Sequence, residues 1–334
     1  MANGNTPNLV ITRTPMRISF AGGGTDLPEF YKVEKGAVLS TAIDKYVYVT
    51  VKRHGTLHNE TYRLNYAETE HAQELDDVKN EIARECLRLV PVEAPLYIST
   101  VGDVPASSGL GSSSSFSVGL LNALHALRGE AVSPAQLLDE AVTVEIDMLG
   151  HPIGKQDQAA AAYGGFNCFR FDTDGTVQLE PHSPLQTNFA NLFDHFQMFW
   201  TGISRDSASV LEEQKRNTPG QMDHLRQMCD QAEQLNKRVR KDLNIESFGQ
   251  TLDQGWQLKR SLASNITNNT IDAWYQAALD AGAIGGKICG AGGGGFLLFV
   301  TPLEHHENVR RALSDLKELP LNYEPRGSVR LLVN

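Results

Sequence analysis

The chain is poor in cysteine, with four in 334 residues and no two of them in a C-x-x-C pair. Their scattered positions predict neither a zinc site nor a disulfide framework. No apolar run reaches the length of a membrane span, and no signal peptide opens the chain. We therefore expect a cytoplasmic protein with reduced thiols and no membrane partner.

Basic charge is also scarce. The chain has 30 Lys and Arg against 40 Asp and Glu, which gives a formal net charge of −10. This balance weighs against nucleic acid as the main partner. A phosphorylated ligand must then be bound by locally placed basic residues and by backbone dipoles. The hydrophobic content of 41% is typical of a globular protein, and 334 residues are enough for two domains.

Two common phosphate-binding motifs are missing. The Walker pattern G-x-x-x-x-G-K-[ST] does not occur, because Gly154-Lys155 is followed by Gln156. A G-x-G-x-x-G string does occur over residues 290–295, but it leads into a strand-like segment at 296–300. The dinucleotide-binding motif must open a helix, so this match does not predict a Rossmann site.

A different glycine- and serine-rich loop occupies residues 102–119, with the sequence GDVPASSGLGSSSSFSVG. The segment before it, 96–101, has the composition of a strand, and the apolar residues after it recur at helical spacing as far as Gly129. Such a loop directs unpaired N–H groups and the positive end of the helix dipole at one point. A flexible linker with an N-cap serine is the alternative, but a linker would not be held tightly between a strand and a helix. We therefore predict a phosphate site.

The periodicity along the chain predicts an α+β fold rather than a doubly wound sheet. Strands are expected near 10–20, 37–52, 96–101, 196–200, 296–300 and 329–333. Helices are expected near 76–90, 133–150, 155–163, 206–243, 247–265, 270–281 and 304–318. Residues 175–192 are polar and without period, so we divide the chain there into domains 1–185 and 186–334.

Two carboxylates stand out. Glu145 lies on an apolar helical stripe, where a charge is costly unless it is paired or binds a cation. An ion pair with Arg17 or Lys155 and a Mg²⁺-ligand role remain equal alternatives. Asp157 lies in the first turn of an alanine-rich helix, where the dipole stabilises an acid. Next to a phosphate loop and a metal carboxylate, it is also a candidate general base.

Glycine clusters mark two further segments. Residues 17–26 close a strand with an arginine, three glycines and Asp26, a pattern that allows a ligand to approach the backbone and suits sugar hydroxyls. A glycine-rich turn with an Asx cap is the alternative interpretation. The second cluster, 290–295, precedes a strand and predicts close contact with a ligand or another backbone.

Together these three segments resemble the motifs of the GHMP kinase superfamily, which includes galactokinases and homoserine, mevalonate and phosphomevalonate kinases. The matching segments are 15–26, 105–114 and 287–296, in the family's order and at similar separations. The resemblance covers nearly the whole chain. It implies an N-terminal domain like ribosomal protein S5 domain 2, a ferredoxin-like C-terminal domain, and ATP and substrate bound in the cleft between them.

The resemblance also implies roles for individual residues. The ATP phosphates would be wrapped by Gly109, Gly111, Ser112, Ser113 and Ser114. Mg²⁺ would be shared by Ser113 and Glu145. Asp157 would take or orient the proton of the attacking hydroxyl, and Arg17 would stabilise that aspartate and the developing charge. Sugar-binding positions would be Gly23, Gly24, Thr25, Asp26, Arg205, Gly292 and Gly293.

The first motif departs from the G-E-H-x-D of galactokinases and is similar to that of bacterial D-glycero-D-manno-heptose 7-phosphate kinases. This implies transfer of phosphate to the anomeric hydroxyl of a sugar phosphate, with a homodimer as an open expectation. L-fucokinases share much of the pattern, and a non-catalytic sugar and ATP sensor is a second alternative. A 7-phosphate needs a cation, for which the candidates are Lys45, Lys52, Arg53 and Lys155.

Overall fold

The computed structural model describes residues 7–55, 57–184, 189–203, 207–241 and 243–334. Within these ranges the strands are Leu9–Ala21 (β1), Gly36–Arg53 (β2), Tyr62–Asn65 (β3), Thr69–Ala72 (β4), Leu96–Gly102 (β5), Phe166–Phe171 (β6), Val177–His182 (β7), Phe196–Trp200 (β8), Gly285–Ile288 (β9), Phe296–Val300 (β10), Lys317–Glu318 (β11) and Val329–Val333 (β12).

The α-helices in the same ranges are Pro28–Tyr31 (α1), Glu81–Leu89 (α2), Ser112–Leu127 (α3), Pro134–Val142 (α4), Gln156–Tyr163 (α5), Ala190–Phe193 (α6), Ser207–Asn217 (α7), Met222–Lys241 (α8), Ile245–Arg260 (α9), Asn269–Asp280 (α10) and His306–Ala312 (α11). Among the described residues, no helix has both the length and the apolar character that a membrane crossing requires.

Strand β2 organises an eight-stranded sheet of order β12-β1-β2-β5-β3-β4, with β6 and β7 attached to β2. It pairs with β1 along one side, and on the other side its first part pairs with β6 and its last part with β5. All pairings are antiparallel except β3 with β5. The prediction of an α+β fold rather than a parallel doubly wound sheet is therefore confirmed.

The second sheet has four antiparallel strands in the order β11-β8-β10-β9. A separate apolar cluster fills this half, and its largest members include Phe199, Trp256 and Phe299. Strand β12, from the end of the chain, pairs with β1. The predicted second domain thus contributes one strand to the first sheet.

Helix α3 packs against β1 and β2 and is buried on almost every side. Gly119 permits this approach, since a Cβ there would lie 2.7 Å from Oγ1 of Thr14. Just before the helix, the carbonyl of Leu110 accepts a hydrogen bond from the backbone N–H of Arg17. The glycine- and serine-rich loop is thereby fixed beside β1.

Three local predictions are wrong. The helix expected over 206–243 is interrupted, because Thr218–Gly220 form a 3₁₀ turn in which Pro219 cannot donate a backbone hydrogen bond. The helix expected over 304–318 ends at Ala312 and is followed by β11. The segment 175–192 contains β7, an edge strand of the first sheet. The boundary at 185/186 lies outside the described residues and stays a prediction.

Candidate active site

A cleft of about 380 Å³ is lined by residues from both halves of the chain. The first half contributes β1, the glycine- and serine-rich loop and the start of α5. The second half contributes residues of α9, β9 and the glycine cluster that follows β9. The three segments singled out in the sequence, far apart along the chain, thus meet at one cavity.

The loop before α3 exposes backbone donors to this cleft. Gly109 and Gly111 adopt φ angles of +85° and +75°, which L side chains rarely accept. Gly111 is the N-cap of α3 and has no side chain that could bond the first-turn amides. Because Ser112, Ser113 and Ser114 line the cleft, these amides and the helix dipole form a site suited to an anion.

The second glycine cluster packs directly on this loop. A Cβ on Gly290 would lie 2.8 Å from the carbonyl oxygen of Gly109, and a Cβ on Gly109 would lie 2.5 Å from that of Cys289. Both distances are below any normal contact. At Gly290 the near contact predicted for residues 290–295 is with another backbone, and it fixes the two halves of the cleft against each other. Gly290, Gly292 and Gly294 also line the cleft, so contact with a ligand stays a prediction.

We expect Gly290→Ala to lower the free energy of unfolding by about 1–3 kcal/mol more than Gly129→Ala does. The two glycines have matching φ angles of +69° and +73°, so both substitutions carry the same left-handed strain, but only Gly290 has neighbours within 4 Å. Urea denaturation of the two variants measures the difference. Equal losses would show that the two glycine segments are not in close contact.

Asp157 and Arg17 form a two-pronged ion pair beside the loop. Nε and Nη2 of Arg17 donate to Oδ1 and Oδ2 of Asp157 at 2.8 and 2.7 Å. Nη1 of Arg17 donates to the carbonyl of Gly109 at 2.7 Å. A Cβ on Gly111 would lie 3.3 Å from Asp157 Oδ2, so the carboxylate stands directly at the loop. One guanidinium thus fixes a candidate base against the anion site.

Glu145 is fully buried and lies behind the loop, on a π-helical segment, Thr143–Met148, that continues α4. Its Oε1 accepts from Ser113 Oγ at 2.9 Å and its Oε2 from Gln158 Nε2 at 2.6 Å. Burial raises the pKa of this carboxyl. The alternative of an ion pair is wrong, since Arg17 binds Asp157 and Lys155 donates to the carbonyl of Gly175.

The oxygen atoms of Glu145 and Ser113 are ligands of the kind that Mg²⁺ prefers. In the described part of the chain no basic side chain forms an ion pair with this buried carboxylate, so a cation would offset its charge. In the described ranges no three acidic, histidine or cysteine side chains are placed so that together they could hold a metal ion. Mg²⁺ suits such a sparse set, because it usually binds one or two protein oxygens together with phosphate and water.

Sequence profiles agree with this geometry. The profile "GHMP kinases N terminal domain" matches residues 76–165, and "GHMP kinases C terminal" matches 232–318. The D-glycero-alpha-D-manno-heptose 7-phosphate kinase of Campylobacter jejuni is 31% identical over 314 residues, which cover 90% of this chain and 92% of that protein. The chain belongs to the GHMP kinase family. It is an ATP-dependent phosphotransferase that acts on a sugar hydroxyl.

Two further proteins similar to this GHMP kinase have lower sequence identities. A bifunctional L-fucokinase/L-fucose-1-P guanylyltransferase of Bacteroides fragilis is 24% identical over 87% of this chain, which spans 34% of that protein. The crystal structure of a D-glycero-D-manno-heptose 1-phosphate kinase from Bacteroides thetaiotaomicron superposes with a TM-score of 0.79 at 23% identity, covering 97% of this chain and 99% of the other. The superposition confirms the expected fold.

Most of the predicted sugar-binding residues of the kinase reach the cleft. Gly23, Gly24, Asp26 and Gly292 line it. Asp26 accepts the backbone N–H of Gly24 at 3.0 Å, and its pKa is raised by burial and by the charge of Asp157. The Asp26 carboxylate therefore lies in the cleft close to that of Asp157.

Two predicted sugar-binding residues do not reach the cleft of the kinase. Thr25 is fully buried, and its hydroxyl lies within hydrogen-bond distance of the carbonyl oxygens of Gly22 and Ala37. Gly293 is buried and donates its backbone N–H to the carbonyl of Ile266. Both therefore shape the turns that carry their neighbours. Arg205 lies outside the described residues.

Sequence reasoning missed several polar groups of the kinase's cleft. Lys259 and Gln214 come from helices α9 and α7, and the side chains of Ser19 and Gln156 lie beside Gly23. Ser19 Oγ and Gln156 Oε1 are buried without a hydrogen-bond partner in the described part of the chain. Ser19 and the cleft residue Lys287 lie inside recognised motifs but were not singled out. For the helical residues no local signal existed, because a lysine or glutamine on a polar helix is ordinary.

Proposed function

We propose that this GHMP kinase transfers the γ-phosphoryl group of ATP to the anomeric hydroxyl of D-glycero-D-manno-heptose 7-phosphate. The product would be the 1,7-bisphosphate, a precursor of nucleotide-activated heptose. The observation that carries the proposal is the Arg17–Asp157 pair at the mouth of the phosphate loop, with Asp26 on the adjoining wall. The form of the first motif and the Campylobacter relative's activity support heptose 7-phosphate as the acceptor.

The first half of the chain would bind ATP. The backbone amides after Gly109 and Gly111 would receive its phosphates, as the helix dipole favours. Ser113 Oγ and the Glu145 carboxylate would hold Mg²⁺. Bound there, the cation would neutralise charge on the phosphate oxygens during transfer.

Asp157 would act on the acceptor. It would take the proton of the anomeric hydroxyl as that oxygen forms its bond to the γ-phosphorus and the bond to the departing ADP breaks. Arg17 would hold the carboxylate in one orientation through two hydrogen bonds and present charge to the transferred phosphoryl group. Asp26, held by backbone N–H groups of Gly24 and Gln156, would accept sugar hydroxyls.

L-fucose is the second candidate acceptor, favoured by the shared first-motif pattern and by the Bacteroides fragilis relative. The same base, loop and metal residues would serve this reaction. L-fucose carries no phosphate of its own, so its binding would require no basic residue on the sugar side of the cleft. The two candidates therefore differ in what the sugar side of the cleft must contain.

Measuring ADP release with Mg·ATP tests the proposal. The acceptors are heptose 7-phosphate, mannose 6-phosphate, L-fucose, galactose and mevalonate. We expect kcat/KM to be highest for heptose 7-phosphate. A preference for L-fucose would leave the proposed mechanism intact but refute heptose 7-phosphate as the acceptor. If none of the sugars stimulates ADP release, both the mechanism and the acceptor are refuted.

A further inference from the structure

Two buried lysines face the cleft from the second half of the chain. Lys259 is near the end of α9 and Lys287 is on β9, and their exposed fractions are only 7% and 6%. The ammonium group of Lys259 donates to the carbonyl of Gly290. That of Lys287 donates to the carbonyls of Ser19 at 2.7 Å and Phe20 at 3.4 Å. Each ammonium has three N–H groups, so donors remain for a ligand.

These lysines have no carboxylate bound to them in the described part of the chain. The neighbouring guanidinium of Arg17 is already matched by Asp157. Burial and the charge of Lys287 lower the pKa of Lys259 to about 7, and burial lowers that of Lys287 to about 8. Keeping two buried lysines protonated beside a cavity is costly unless a ligand brings negative charge.

The position of the lysines decides which anion they suit. The loop amides and the Ser113–Glu145 pair supply the donors and metal ligands for the ATP phosphates. Lys287 instead donates to the backbone carbonyl of Ser19, a cleft residue whose buried hydroxyl has no partner in the described ranges. Asp26, the predicted sugar-binding carboxylate, is near enough to Lys259 to raise its pKa. This wall is therefore on the sugar side.

We propose that Lys259, supported by Lys287, binds the phosphate group that the sugar substrate already carries. The inference rests on the proposed function, because it requires a phosphorylated acceptor. Lys259 and Lys287 take the place of the basic residues that the sequence analysis named as candidates for binding this phosphate. Lys155 bonds the carbonyl of Gly175 and Lys45 bonds Asp44, and neither lines the cleft.

The test compares kcat/KM for heptose 7-phosphate with that for unphosphorylated heptose. It uses the wild type, Lys259→Met, Lys259→Arg and the control Lys237→Met, whose side chain is exposed on α8. We expect Lys259→Met to lower kcat/KM for heptose 7-phosphate by about 10–100-fold, the range for a lost hydrogen bond to a charged group. The value for unphosphorylated heptose and the KM for ATP should stay within about threefold. Lys259→Arg should restore part of the preference.

A wild-type measurement makes the test independent of variant folding. Inorganic phosphate is expected to inhibit competitively against heptose 7-phosphate and not against ATP. Equal losses with both acceptors in Lys259→Met, or a raised KM for ATP, would overturn the inference and leave the proposed function intact. A wild-type enzyme that shows no preference for the phosphorylated heptose would overturn both.

Discussion

The Asp157→Asn enzyme is expected to turn over about 10²–10⁴-fold more slowly than the wild type while binding ATP with unchanged affinity. An amide cannot take the proton of the attacking hydroxyl. It also offers only one acceptor to the guanidinium of Arg17, which holds both carboxylate oxygens in the wild type. ATP binding should persist because the loop amides and Glu145 are untouched. Steady-state ADP release and calorimetric titration with a non-hydrolysable ATP analogue measure the two properties.

Asp139→Asn is the matched control. Asp139 is an exposed residue of α4, so the same loss of one negative charge should leave kcat unchanged. Melting temperatures of both variants show whether the fold is retained. An unchanged kcat in Asp157→Asn would remove Asp157 from its proposed role.

The second large effect is expected for Glu145→Gln. It should raise the Mg²⁺ concentration for half-maximal rate by at least about tenfold, because an amide replaces the one negatively charged ligand proposed for the cation. Ser113→Ala should act in the same direction with a smaller effect, since the serine hydroxyl is neutral. ADP release measured across a Mg²⁺ series gives both numbers. Glu246→Gln, exposed on α9, is the control.

Stability without metal gives a separate readout. Burial raises the pKa of Glu145 above its ordinary value of 4.5, so ionising it destabilises the folded state. This cost is absent below pH 4.5 and is fully present once the pH exceeds the raised pKa. We therefore expect metal-free Glu145→Gln to melt at a higher temperature than the wild type at pH 8, and added Mg²⁺ to stabilise the wild type more. If neither Glu145→Gln nor Ser113→Ala changes Mg²⁺ dependence, the proposed metal site is wrong.

Local signals predicted several of the elements that build the cleft. Ser133 and Pro134 marked the start of α4, where the serine side chain accepts the N–H of Gln136. The strand before the phosphate loop and the helix after it were found at nearly their observed bounds. The segment Val177–His182 was missed because its polar composition is that of a linker. Pairing with β6 makes it a strand.

The site could be predicted only where its residues lie in contiguous motifs. Arg17, Asp157 and the loop between Gly109 and Ser114 have local sequence patterns that indicate their chemistry. Lys259 has none, since its meaning depends on α9 bringing it next to Gly290 and Lys287. Likewise, the choice between an ion pair with a basic side chain and a metal-ligand role for Glu145 depends on tertiary contacts, which the spacing of residues along the chain does not encode.

Product analysis tests the central claim most directly. The wild-type enzyme is incubated with Mg·ATP and heptose 7-phosphate, and the product is examined by ³¹P NMR. The account predicts one ADP per sugar and a new phosphorus resonance coupled to the anomeric proton. A new phosphate on any other hydroxyl, or ATP consumed without a phosphorylated sugar, would contradict it.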